Sequence, residues 1–107
     1  MKALGGLVEM LGQDGAQRFL TMALPQIRQY RQELLTCLRQ QEWAAAATLA
    51  HRLKATAHLY SSPILQDCLD RIIAQDILQL AQATFQARLD TEFLCTETEI
   101  ERFLINK

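Results

Sequence analysis

Helix breakers are scarce in this chain, with only 4 glycines and 2 prolines in 107 residues. An all-β domain needs a supply of turn residues that this composition does not provide. Charge of one sign is missing too. The 11 Lys and Arg against 12 Asp and Glu leave a net charge of −1, and no basic stripe appears. That balance argues against nucleic acid or an anionic membrane surface as partner. No run approaches the roughly 18 to 20 apolar residues of a membrane span, so direct membrane insertion is not expected. Residues 1–10 carry Glu9 where a secretory peptide would continue its apolar core, and no cleavage site follows. Cysteines number three (Cys37, Cys68 and Cys95), widely spaced and without a Cys-x-x-Cys pair. An odd, scattered set makes neither a disulfide framework nor a zinc site. Each lies in or beside an apolar helical stretch, which predicts small hydrophobic filler in a reducing, cytoplasmic setting.

What is abundant is helix former. Ala, Leu and Gln supply 44 residues, which predicts an all-α fold. The length suits one domain over residues 1–107 with a single core. Caps and periodicity place the helices. A short one is expected over Ala3–Leu11, stopping at Gly12. Asp14-Gly-Ala-Gln17 has the form of a capping box and opens a long helix to about Gln40, with Phe19, Ala23, Ile27, Tyr30, Leu34 and Leu38 on one stripe. Pro25 lies inside that helix and predicts a kink there. A third helix is expected from Glu42 to Tyr60. Ser62-Pro63 reads as an N-cap with proline at the first helical position, opening a fourth helix through Ile72. Asp76 starts a fifth reaching about Leu94. Thr96 either caps a separate last helix to Leu104 or lies within a continuous one. Four amphipathic helices with short connections pack most simply as an antiparallel four-helix bundle, with the short first helix across one end.

The chemically informative segment is Trp43–Tyr60. At 100° per residue, Ala45, Ala46, Leu49, Leu53, Thr56, Ala57 and Tyr60 cluster within about 80° of Leu49, and His51 points about 160° away from it. Around His51 on that outer side stand Ala44, Ala47, Lys54, Ala55 and His58. An exposed helical face ordinarily carries Glu, Lys and Arg. Here an imidazole stands among methyl groups. With a reference pKa near 6.5, an exposed histidine has a large neutral fraction at pH 7 and a free nitrogen lone pair. The small neighbours allow a macromolecular surface to approach closely. Lys54, one turn on, can favour a phosphoryl group at the imidazole tip. His58 shares the face about 10.5 Å further along the axis and is expected as a docking contact together with Ala44, Ala47 and Ala55. The two histidines lack carboxylate companions and make poor zinc ligands. No nucleophile–base triad and no phosphate-cradling glycine loop is present.

Glu42-Trp43 followed by Ala50-His51-Arg52-Leu53-Lys54-Ala55-Thr56-Ala57 resembles the core motif of the histidine-containing phosphotransfer (HPt) domain of two-component phosphorelays. The similarity extends to Leu11-Gly12-Gln13-Asp14, to Phe19-Leu20 through Leu24-Pro25, and to Leu69-Asp70-Arg71-Ile72, covering about residues 7–75. Three positions depart from the family. Ala55 stands for its glycine four residues after the histidine, Ile73 for a polar residue about 22 positions after it, and Ser61 for a loop glycine.

The resemblance implies a carrier without autonomous kinase activity. His51 would take a phosphoryl group from an aspartyl phosphate in a receiver domain and pass it to a response regulator. Lys54 would stabilise the phosphate. Its partners would be receiver domains and a hybrid sensor kinase, with Mg²⁺ held by the receiver and no cofactor in this chain. Ala55 and Ile73 motivate the alternative of an HPt-like adaptor that binds a receiver or kinase without being phosphorylated.

Overall fold

The computed structural model describes residues 2–105, with side chains from Leu4 onward. It is all-helical, with five elements: α1 (Lys2–Arg39), α2 (Trp43–Ala57), α3 (Pro63–Ile73), α4 (Ile77–Leu80) and α5 (Ala83–Ile105).

The expected stop at Gly12 is a kink between two helical stretches. Gly12 alone leaves helical geometry, at φ 76° and ψ 169°, a region that essentially only glycine enters. A straight helix of α1's length would run about 57 Å, yet the fold measures 41 × 20 × 20 Å. The segment before Gly12 therefore turns aside from the long axis, and there it buries Leu4 and Leu7. Pro25 keeps helical backbone angles and is exposed, so the break in backbone angles inside α1 lies at Gly12, where the sequence places a helix end.

Both α1 and α3 end in a left-handed residue that is neither Gly nor Asn. Gln41 has φ 60° and Gln75 φ 54°. After each, the chain closes the helix end: the N–H of Glu42 donates to the Cys37 carbonyl at 2.8 Å, and that of Asp76 to the Arg71 carbonyl at 3.3 Å. This is the Schellman arrangement. The start of α3 follows the sequence reading, with the Ser62 hydroxyl accepting from the Leu65 N–H and Pro63 in the first turn.

Two expected boundaries move. The helix carrying His51 ends at Ala57 rather than Tyr60. The single helix expected from Asp76 to Leu94 divides into α4 and α5, because the chain turns at Ala81 and Gln82. Beyond the turn α5 runs unbroken to Ile105, and Thr96 is buried within it, its hydroxyl donating back to the Glu92 carbonyl.

α1 packs against α5 and α2, α2 against α3, and α3 against α5. The core between them holds Leu20, Ile27, Leu34, Leu53, Leu65, Leu69, Ile72, Leu89 and Phe93 among others. Tyr60 joins it from beyond the end of α2, its ring 6.4 Å from that of Phe19. Of the three free cysteines, Cys68 is buried and Cys37 half-buried, in keeping with filler, but Cys95 is exposed on α5.

Polar groups also bind helices together. On the α1–α5 seam, Glu97 is only 5% exposed. Its carboxylate accepts from Arg31 Nε at 2.8 Å and lies 3.7 Å from Arg28 Nε. Arg28 also pairs with Glu101, and Arg31 with Asp90 at 3.4 Å. The hydrogen bond to Glu97 raises the affinity of the Arg31 guanidinium for its proton. At the start of α3, Ser62 donates to Glu92 of α5 at 3.1 Å. No buried side-chain nitrogen or oxygen among the described residues lacks a partner.

Candidate functional site

The buried stripe of α2 is Ala46, Ala50, Leu53 and Ala57. It differs from the expected face by a rotation of about 60°. Ala50 is fully buried, whereas Ala45 and Thr56 are exposed and Leu49 is half-buried. A run of alanines has no polar member to set its phase, so contacts with α1 and α3 decide which methyl groups go inside. The rotation leaves His51 on the solvent side, about 130° from the centre of the buried stripe, and its side chain is exposed.

Beside the imidazole lies an open depression on the surface, lined by Ala44, Ala47, Thr48, His51, Arg52, Ala55, Ile73 and Gln75. Four of these sit at the −7, −4, −3 and +4 positions relative to His51 and share its side of the helix. Ile73 and Gln75 come from the far end of α3, brought there by the packing of α3 on α2. Most of the lining is methyl and methylene. Its polar residues are His51, Thr48, whose hydroxyl donates to the Ala44 carbonyl at 3.2 Å, Arg52 and Gln75.

Among the residues singled out from the sequence, His51, Ala44, Ala47 and Ala55 are brought together. Lys54 and His58 are not among those lining the depression. His58 is exposed and caps the end of α2. Lys54 is also exposed, but its ammonium pairs with the Asp70 carboxylate of α3. At 45% and 51% side-chain exposure for the two partners, this pair is weak, worth at most about 1 kcal/mol.

Sequence reasoning did not single out Thr48, Arg52 and Gln75 as neighbours of the site, nor Asp70 as the partner of Lys54. The spacing from His51 could have flagged Thr48. Gln75 and Asp70 depend on how α3 lies against α2, for which the sequence carries no local signal.

Farther round α2, Arg52 also borders a groove toward α1 with Phe19, Met22, Tyr30 and Thr56. The Thr56 and Tyr60 hydroxyls lie 3.3 Å apart and share a hydrogen bond. Burial pushes the Tyr60 hydroxyl above its ordinary pKa, and the bond with Thr56 opposes the shift. Ser61, where the resemblance placed a loop glycine, is buried with its hydroxyl donating to the Ala57 carbonyl. Among the described residues no group of three or more His, Cys, Asp or Glu could hold a metal ion, and no helix is long and apolar enough to cross a membrane.

No family model, curated protein or solved structure matches this chain.

Proposed function

We propose that the chain is an HPt-like phosphocarrier built as a four-helix bundle, with His51 as its phosphorylated residue. One observation carries this: a solvent-facing imidazole stands on a helix anchored in the core, flanked by alanines and an open depression. Such a surface admits a partner protein to within bonding distance of the ring nitrogen. In the step implied by the resemblance, the Nε2 lone pair of neutral His51 attacks the phosphorus of a receiver's aspartyl phosphate. The Nε2–P bond forms as the P–O bond to the aspartate breaks. The carboxylate leaves with the bonding electrons, and the Nδ1 proton of the ring passes to water.

This chain contributes the nucleophile and a cation beside it. The acidic pocket and its divalent cation belong to the receiver. The carrier therefore works in the cytoplasm, between receiver domains and a hybrid sensor kinase, through a small and transient interface. Ala44, Ala47 and Ala55 form the nearest part of that interface, and His58 its outer edge.

A second reading has specific support. Ile73 brings an aliphatic chain where the family carries a polar one, Ala55 replaces its glycine, and Lys54 is already paired with Asp70. A non-phosphorylated adaptor would keep the docking face without using the imidazole. Incubation with a ³²P-labelled phosphorylated receiver separates the two. A carrier acquires acid-labile, alkali-stable label that is lost in His51→Gln and kept in His58→Gln. Binding without label from any receiver tested identifies the adaptor, and label that persists in His51→Gln rejects His51 as the site.

A further inference from the structure

The depression next to the imidazole has a cation problem. A transferred phosphoryl group brings close to two negative charges, and the walls contributed by Ala44, Ala47, Ala55 and Ile73 offer it no donor. Lys54, the cation expected there, is paired with Asp70 and is not one of the lining residues. Thr48 has already donated its hydroxyl proton to Ala44. Arg52 is the one cation among the described residues that lines the depression with His51. It forms no ion pair among the described residues. Glu33 borders the adjoining α1–α2 groove with it but is not close enough to pair. A guanidinium is charged at every accessible pH, and its planar fork matches two phosphate oxygens at once. The long side chain also spans the 100° of helix rotation that separates neighbouring residues.

We infer that Arg52 is the phosphoryl-binding residue of this site, closing over the group carried by His51 while Lys54 stays with Asp70. This rests on His51 accepting phosphate, so the test uses a donor that needs no partner protein. With phosphoramidate the Nε2–P bond forms as the donor's P–N bond breaks, ammonia leaves, and the ring's Nδ1 proton passes to water. Phosphohistidine formation is followed in wild type, Arg52→Gln, Arg52→Lys and Lys54→Gln, each first shown to be folded by circular dichroism.

Arg52→Gln should slow phosphorylation by about threefold or more, with Arg52→Lys intermediate because it keeps the charge and loses the fork. The second signature is spectroscopic. A guanidinium against the phosphoryl group favours its dianion, so the ³¹P titration midpoint should move to higher pH in Arg52→Gln and stay near wild type in Lys54→Gln. A midpoint and rate unchanged in Arg52→Gln overturn the assignment while leaving His51 intact. A larger effect from Lys54→Gln transfers the role to Lys54. Wild type that takes no phosphate from the donor, although folded, rejects both the assignment and the phosphocarrier reading beneath it.

Discussion

The α1–α5 seam and the outer face of α2 treat polar groups in opposite ways. On the seam, Arg28 and Arg31 converge on Glu97, Glu101 and Asp90, and the central carboxylate is withdrawn from water. Every charge there has a partner, and the result is attachment of one helix to another. On α2, a histidine and an arginine face solvent without ion-pair partners among the described residues, amid methyl groups that add no polarity. The seam uses chemistry to hold the fold, whereas α2 leaves chemistry available to something outside it. Substitutions should divide along the same line: costly and general on the seam, structurally silent but chemically decisive at His51.

The largest effect on stability is expected from Glu97→Ala. It removes the buried carboxylate that Arg28 and Arg31 share, leaving them only Glu101 and Asp90, and should cost about 2 kcal/mol in urea unfolding. A deeply buried pair would cost more, but Arg28 and Arg31 still reach water. A loss below about 0.5 kcal/mol would put this network in the class of ordinary surface ion pairs. Gly12→Ala comes next. No atom lies within 4 Å of an added Cβ, so crowding is absent, and the backbone angles alone should cost about 1 to 2 kcal/mol. An unchanged melting temperature would mean that the chain before Gly12 contributes little to the fold.

Tyr60→Phe sits between the two regions, in the core but bonded to the exposed α2 face through Thr56. At neutral pH it should cost about 1 kcal/mol for the lost hydrogen bond. Its pH dependence has a definite sign. Burial holds the folded-state pKa of Tyr60 above its ordinary value of 10.0. The tyrosine's contribution is therefore complete below pH 10 and lost as pH rises through the folded value. Wild type should lose stability above pH 10 more steeply than Tyr60→Phe, as followed by thermal melts across that range. Parallel curves would assign the alkaline loss to other groups, of which Cys68, also raised by burial, is one. The smallest effect on stability belongs to His51→Gln. Being exposed, the substitution should leave the unfolding free energy within about 0.5 kcal/mol while removing phosphate uptake altogether. A markedly destabilised His51→Gln would give the imidazole a structural role instead.

The same contrast explains what the sequence disclosed. Ser62-Pro63 was legible because an N-cap and the proline behind it act within one turn. The outward direction of His51 was legible because a helix of known pitch carries both it and Leu53. The phase of the buried stripe was read less well, since alanines at 44 to 47 fit either side. The two glutamines at the ends of α1 and α3 hid their turns, because glutamine is an uncommon choice for left-handed geometry. Glu97 reads in sequence as one more solvated charge on a helix. Its burial follows from arginines 66 and 69 residues earlier, and no local pattern records that distance. Gln75 and Asp70 reach α2 only through the packing of α3, so the place of Gln75 in the depression and the engagement of Lys54 were both invisible.

Phosphorylation of one particular ring nitrogen is the most direct thing to measure. Protein carrying ¹⁵N-labelled histidine, treated with a phosphorylated receiver, should show coupling between phosphorus and the Nε2 resonance of His51, with the His58 ring unchanged. A receiver that loses its phosphate in a complex with this chain while both imidazole spectra stay as they were would contradict the phosphocarrier.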